Sequence, residues 1–308
     1  MKQKLFILLL GLAAFLSGCT VQKQESEIPM RISAILPHND YGYWTIVADG
    51  MRDADKRLPV DVKIHLPDLN YNIPQMTELI RQETAAQVDA LIVQGIEDAD
   101  YISALEEARA QGIRVVLVDT NLPAFQADLY VGTDNYAAGI EMGKRLVEVT
   151  GGSAKVAVLS GSPQYPNLEE RLQGIRDATA PYPGIQILRV EYDHYDAMTV
   201  MEKYHMICRD TPQIDTLAAI EGTGGQTLGQ LSSVNFKHIL VFDDTEETLS
   251  GLERGIFDGI IGQQKYEMGV ICVEELHQRH TTGAFTSDRI NTPVNWITKE
   301  TLEAAHEE

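Results

Sequence analysis

"DALIVQGIEDADYISALEEARAQGIRVVLVDT", residues 89–120, decides the fold. Its two ends, "DALIVQG" and "IRVVLVDT", are short runs, apolar almost throughout. Strands of this kind are covered on both faces, which is the situation inside a parallel sheet. The middle, "YISALEEARAQG", has the length and apolar spacing of a helix. Parallel neighbours need a long crossover, so strand, helix and strand form one right-handed unit. The same rhythm extends outward. "RISAILP", "VDVKIHL" and "DLYVGTD" read as strands on either side of it, with helices at "WTIVADGMRDADKRL", "IPQMTELIRQETAAQ" and "YAAGIEMGKRLVEVTGG". After a turn at Asp134-Asn135-Tyr136 the pattern restarts. "AKVAVLSG", "IQILRVEY", "IDTLAAIEG", "HILVFDD" and "GIIGQQ" read as strands between four further helices, and a last long helix, "YEMGVICVEELHQRH", leads to "RINTPVNWIT", which ends the fold. About ten alternations exceed the usual width of one open sheet. The expectation is α/β, with two similar doubly wound parallel-sheet lobes.

The start of the chain reads differently. Lys2 and Lys4 precede an apolar run from Leu5 to Leu16, then Ser17, Gly18 and Cys19. A basic start, a short apolar core and small residues make an export signal, and the run is too short to span a bilayer. Leu16-Ser17-Gly18-Cys19 resembles the lipobox of bacterial lipoproteins. That resemblance implies a signal peptide over residues 1–18, a lipid on Cys19, a polar tether over residues 19–29, and an extracytoplasmic protein anchored to the cell membrane. An ordinary signal peptide with an incidental cysteine is the plainer reading. Of the other two cysteines, Cys208 and Cys272 each sit in a helical pattern and read as separate thiols rather than a bridge. The chain carries 45 acidic and 25 basic residues, a formal charge of −20. Such a balance repels nucleic acid and anionic lipid.

In open α/β sheets ligands sit beyond the carboxyl ends of the strands. Those ends carry His38 to Trp44, Asp119-Thr120-Asn121, Thr133-Asp134-Asn135, Ser160-Gly161-Ser162 with Arg171 in the next helix, Glu221 to Gly225, Asp243-Asp244 and Gln263-Gln264. The set combines aromatic rings with planar polar groups. A sugar offers an apolar ring face and a rim of hydroxyls, which aromatics and carboxylates, amides or a guanidinium fork match.

Over Met30 to Thr301 the chain resembles the type I periplasmic sugar-binding proteins, the ribose- and galactose-binding family. The similarity lies in "ILPHNDYGYWTIVADGMRDAD", "QGIRVVLVDT", "YVGTDNYAAG", "LEERLQGIRDA", "ILVFDDTEETLSGLERG" and "GIIGQQ". It implies Tyr43 and Trp44 as stacking aromatics and Asp119, Arg171, Asp243 and Gln263 as polar ligand contacts. Thr223 and Gly224 stand where the family often has Asn, and Thr120 where it often has Arg or Lys. It also implies a first lobe of residues 30–134 with 267–291 and a second of 137–264 with 292–308. Hinge strands are expected at Asp134–Tyr136, Gln264–Glu267 and Asn291–Pro293.

Each site residue has a plainer reading. Trp44 can pack the first helix, Asp119 can end a turn, and Arg171 can pair with Glu169 or Glu170 on a solvated helix. Asp244 reads as a helix cap and "EGTGGQTLG" as a tight strand-to-helix turn. Tyr165 and Tyr195 line the cleft or lie on the surface, and Trp296 packs near the hinge. Asp243-Asp244 has no partner lysine that would mark a phospho-acceptor metal site. The histidines form no HExxH pattern and no Gly-x-Ser-x-Gly elbow occurs, so neither an enzyme nor a metal or cofactor is expected. The expectation is a monomeric, lipid-anchored binding protein for a monosaccharide or related polyol. It would deliver its ligand to an ABC permease or report it to a sensor-kinase ectodomain. A repressor with this core is excluded by the export signal and the acidic charge. Cys19→Ala is expected to release the protein from the membrane fraction or block its maturation. A mature N-terminus other than a modified Cys19, read by mass spectrometry, contradicts the anchor.

Overall fold

The computed structural model describes residues 29–37, 42–69 and 71–307. The expected signal peptide, Cys19, nearly all of the tether and His38 to Tyr41 lie outside the described residues.

Two six-stranded sheets carry the fold. The first contains β1 (Met30–Ile35), β2 (Val60–His65), β3 (Ala90–Gln94), β4 (Arg114–Val118), β5 (Leu129–Thr133) and β11 (Arg289–Thr292), in the order β11-β5-β4-β3-β1-β2 and parallel throughout. The second contains β6 (Ser153–Ser160), β7 (Gly184–Tyr192), β8 (Thr216–Ala219), β9 (His238–Phe242), β10 (Gly259–Gln263) and β12 (Val294–Ile297), in the order β12-β10-β9-β8-β6-β7. Only β12 runs antiparallel, against β10. Residues 89–120 form the unit read from the sequence: β3 is buried at all five positions and β4 at all but Arg114. The two sheets repeat one order, so the two-lobed α/β architecture is present as expected.

The helices are α1 (Tyr43–Arg57), α2 (Ile73–Ala85), α3 (Ala99–Ala110), α4 (Asn135–Thr150), α5 (Pro166–Thr179), α6 (Ala197–Asp210), α7 (Gly222–Gly229), α8 (Glu246–Glu253), α9 (Lys265–Thr282) and α10 (Lys299–Glu307). The chain passes between the sheets three times: from β5 into α4, from β10 into α9, and from β11 into β12. As a result α4 packs on α5 beside the second sheet, and α9 packs on α1 beside the first. Glycines set both contacts. A methyl group on Gly50 would collide with the Tyr266 carbonyl and one on Gly269 with that of Val47. In the other pair, Gly139 faces the Arg171 carbonyl and Gly174 that of Tyr136. The two helix pairs are thus internal copies of one close packing.

Three sequence readings are corrected. "EGTGGQTLG" turns from strand to helix sooner than expected: Gly222–Gly229 is already helical, and the Glu221 carboxylate caps it by accepting from the N–H groups of Thr223 and Gly224 at 2.7 and 2.5 Å. Its glycines admit close neighbours, Gly225 against Val241 and Phe242 and Gly229 against the Glu247 carbonyl. Asp244 is not a cap: Thr245 takes that place in a reciprocal pair with Thr248, and Asp244 pairs with Lys265 instead. The fold does not end at Thr298, because α10 follows. Cys208 and Cys272 are separate free thiols, the first half-buried and the second buried.

Gly269→Ala is expected to lower the urea midpoint by an amount worth roughly 1–3 kcal/mol, the usual cost of overpacking, with the slope unchanged. An unchanged midpoint would show that α9 has room to move away from α1.

Candidate functional site

The carboxyl ends of both sheets converge on one cavity, and the seven site residues expected from the sequence, Tyr43, Trp44, Asp119, Arg171, Thr223, Asp243 and Gln263, all line it. It spans about 510 Å³ of atom-free space, open solvent included, of which about 50 Å³ can hold the centre of a water molecule.

Asp119 follows β4 and Asp243 follows β9, at equivalent places in the two sheets. Both have left-handed backbones, with φ 66° and 70°, a conformation that non-glycine residues adopt at a cost and that Asp tolerates best. The backbone N–H of each bonds the neighbouring strand, Asp119 to the Val131 carbonyl and Asp243 to the Ile261 carbonyl, both at 2.9 Å. The Asp119 carboxylate accepts from the Tyr43 hydroxyl at 2.5 Å, Thr120 Oγ1 at 2.7 Å, Gln94 Nε2 at 3.1 Å and Asn167 Nδ2 at 3.5 Å. Tyr43 is the first residue of α1, so its phenol reaches the strand ends directly. Burial, then the charges of Asp119 and Asp243, push its pKa well above the ordinary phenol value.

Arg171 does not pair with Glu169 or Glu170. Its side chain is 2% exposed. It donates through Nε to Asn135 Oδ1 at 2.9 Å, through Nη1 to the Ile220 carbonyl at 2.9 Å, and through Nη2 to Gln263 Oε1 at 2.8 Å. The guanidinium also lies 4.1 Å over the Phe242 ring. Gln263 completes the chain of bonds: its Oε1 also accepts from Thr133 Oγ1 at 2.8 Å, and its Nε2 donates to Asp243 Oδ1 at 2.7 Å. Thr133 belongs to the first sheet, so this network joins the two.

Trp44 is 1% exposed. It packs in the first-sheet core and also faces the cavity, so both readings of it apply. Tyr195 lies at the cavity rather than on the surface, and Tyr165 is buried behind it. Tyr195, from the loop after β7, stacks on Tyr71, from the loop after β2, with ring centroids 3.9 Å apart and planes 18° from parallel. Tyr165 meets both rings edge-on, at 5.2 and 5.4 Å. The Trp44 indole N–H points at the Tyr71 hydroxyl, 3.4 Å away. Trp296 packs over Gly259 on β10, with the Arg145 guanidinium 5.6 Å from its ring. A backbone bond from Glu97 N–H to the Gln164 carbonyl, 2.9 Å long, ties the loop after β3 to the loop after β6.

Sequence reasoning missed Tyr71, Gln94 and Asn167 at the cavity. Gln94 ends β3, and reading that strand end like the others would have found it. Tyr71 lies in the polar loop "DLNYNIP", which carries no signal, and Asn167 reads as an ordinary first-turn residue. Glu221 also lines the cavity, with the wholly buried Asp193 beside it. Burial raises the pKa of both carboxyls, and for Asp193 the neighbouring Glu221 charge raises it further. Among the described residues there is no cluster of three or more His, Cys, Asp or Glu placed to hold a metal ion.

A family model described as a periplasmic binding protein domain matches residues 32–281. Among curated proteins, the ribose import binding protein of Bacillus subtilis is 24% identical over 257 residues, 82% of this chain and 81% of that protein. An ABC transporter periplasmic-binding protein of Escherichia coli is 26% identical over 306 residues, 94% of this chain and 91% of that one. Among solved structures, a glucose-galactose binding protein from Geobacillus stearothermophilus superposes with a TM-score of 0.83 at 28% identity, covering 90% of this chain and 99% of that one.

Asp193 yields a pH prediction. Its folded-state pKa lies above the unfolded one, so between the two values the folded protein holds more protons. Stability is then greatest below the ordinary Asp range and falls as pH rises through the raised value. Asp193→Asn is expected to flatten this decline, measured as thermal midpoint against pH. An identical decline in the variant assigns it to other groups.

Proposed function

The chain belongs to the periplasmic binding protein family, and on that premise we propose that it captures a monosaccharide or related polyol between its two lobes. The observation that carries this reading is the pair Asp119 and Asp243. Each ends an apolar strand in the same strained conformation, one from each sheet, and both line one cavity. A carboxylate accepts from neighbouring hydroxyls, so a ring held between them ties the lobes together. Tyr43 and Trp44 supply the faces for its C–H surface. Arg171, Gln263 and Thr223 supply the remaining polar contacts.

The moving bodies are residues 30–134 with 267–291 and residues 137–264 with 292–308. The three passages between the sheets, near Asp134–Tyr136, Gln264–Glu267 and Asn291–Pro293, serve as the hinge. The protein works outside the cytoplasm, held at the membrane by a lipid on Cys19, and passes its ligand to an ABC permease. It binds without chemical conversion and needs no cofactor. Loss of sugar uptake on deletion of the gene supports delivery to a permease. Normal uptake with lost gene induction would assign the closed state to a sensor kinase instead.

A thermal-shift screen of the purified chain against sugars and polyols identifies the ligand, because binding to the native state alone raises apparent stability. With that ligand, Asp243→Ala is expected to weaken binding about 10- to 150-fold, the loss of one charge-assisted interaction of roughly 1.5–3 kcal/mol. Asp244→Ala, which removes the ion pair with Lys265, is expected to lower the thermal midpoint and leave affinity nearly unchanged. Equal losses of affinity in both variants, measured by calorimetry, would show that the cleft lies elsewhere.

A further inference from the structure

The side chains that line the cavity carry more negative than positive charge. Three carboxylates line it, those of Asp119, Asp243 and Glu221, against one guanidinium, that of Arg171. The three bonds that Arg171 makes all go to neutral oxygens, on Asn135, Ile220 and Gln263, and none to a carboxylate. Asp119 is held by Tyr43, Thr120, Gln94 and Asn167, all uncharged. Lys265 pairs with Asp244, and its charge also acts on Asp243.

Unmet acceptors lie in the same place. The Gln94 and Asn167 side chains line the cavity, and their carbonyl oxygens are buried with no partner. Asp243 uses Oδ1 for Gln263. Its Oδ2 faces Gly222 at the start of α7, where a methyl group on that glycine would lie 3.1 Å from it. Buried acceptors without donors are costly, and buried like charges more so. Burial raises the pKa of Asp243, Glu221 and Asp193 in the same sense, although Lys265 and Arg171 offset part of the rise at Asp243 and the α7 N–H groups part of it at Glu221.

A neutral sugar answers only part of this. Each hydroxyl brings acceptor lone pairs along with its donor, and no charge. An ammonium brings three donors, no acceptor and one positive charge. The four aromatic rings at the cavity, Tyr43, Trp44, Tyr71 and Tyr195, also favour a cation over their faces. We propose that the ligand is a polyhydroxylated amine, an amino sugar or aminopolyol. Its ammonium meets the Asp243 and Glu221 carboxylates, and its hydroxyls the Gln94 and Asn167 carbonyl oxygens beside Asp119. This rests on the reading of the cavity as a sugar or polyol site and narrows it.

Matched pairs test the proposal: glucose with glucosamine, galactose with galactosamine, and sorbitol with 1-amino-1-deoxysorbitol. Binding to the purified chain is measured by calorimetry at about pH 6.5, below the usual range of such amines. In at least one pair the amine is expected to bind about tenfold or more tightly than its neutral partner, a difference of about 1.4 kcal/mol. Glu221→Gln, which keeps an oxygen to cap α7, is expected to bring that ratio toward one. Asp243→Asn provides the same readout if the first variant fails to fold. Equal or tighter binding of the neutral member in every pair overturns the amine and leaves sugar capture standing. A ratio unchanged in both variants overturns the assignment to these carboxylates. No binding by any member of any pair overturns the amine together with the polyol reading beneath it.

Discussion

A guanidinium buried between two sheets has to be met by oxygens on every side, and Arg171 imposes that condition on the whole cavity floor. Removing an ion from water costs several kcal/mol unless hydrogen bonds replace the lost hydration. Its three bonds reach Asn135 at the start of the first crossing helix, the Ile220 carbonyl at the end of β8, and Gln263 at the end of β10. Through Gln263 the same network extends to Thr133 in the first sheet and to Asp243 in the second. Three of the segments that must stay in register for a two-lobed molecule are thereby tied to one side chain. Phe242 covers one face of the guanidinium, which keeps water from competing for the same donors.

The rest follows from duplication. Each sheet ends one central strand in an aspartate with a left-handed backbone, and each has a glycine-matched helix pair beside it. The crossing helices α4 and α9 are swapped relative to the strands they follow, so each lobe is closed by chain that began in the other. Opposite the crossings, the stacked Tyr71 and Tyr195 and the Glu97–Gln164 backbone bond join the two rims. An aromatic pair contributes about 0.5–1.5 kcal/mol beyond its buried area. That is too little to lock the two rims together by itself. Asp119, Asp243 and Glu221 are buried at the cavity, and removing carboxylates from water is costly unless partners replace the lost hydration.

The fold was legible because its signal is repeated. Apolar strands alternating with amphipathic helices leave few architectures, and residues 89–120 already contain the repeating unit. The strand-end rule located Asp119, Asp243 and Gln263, since a polar residue directly after a buried strand has few places to point. Arg171 was harder: its neighbours Glu169 and Glu170 offered a surface pairing, and only the packing of α5 against α4 turns it inward. Tyr71 was invisible because its loop carries no periodicity, and Asn167 because a polar residue in the first turn of α5 is ordinary there. Asp244 was misread because the cap moved by a single residue, to Thr245, where a second threonine reciprocates.

Closure of the two lobes on a solute is the central claim, and small-angle X-ray scattering tests it most directly. The free chain is predicted to have a larger radius of gyration than the chain saturated with its ligand, with the contraction following the binding isotherm. A radius that stays the same while calorimetry records full binding would contradict a cavity that opens and closes between the lobes.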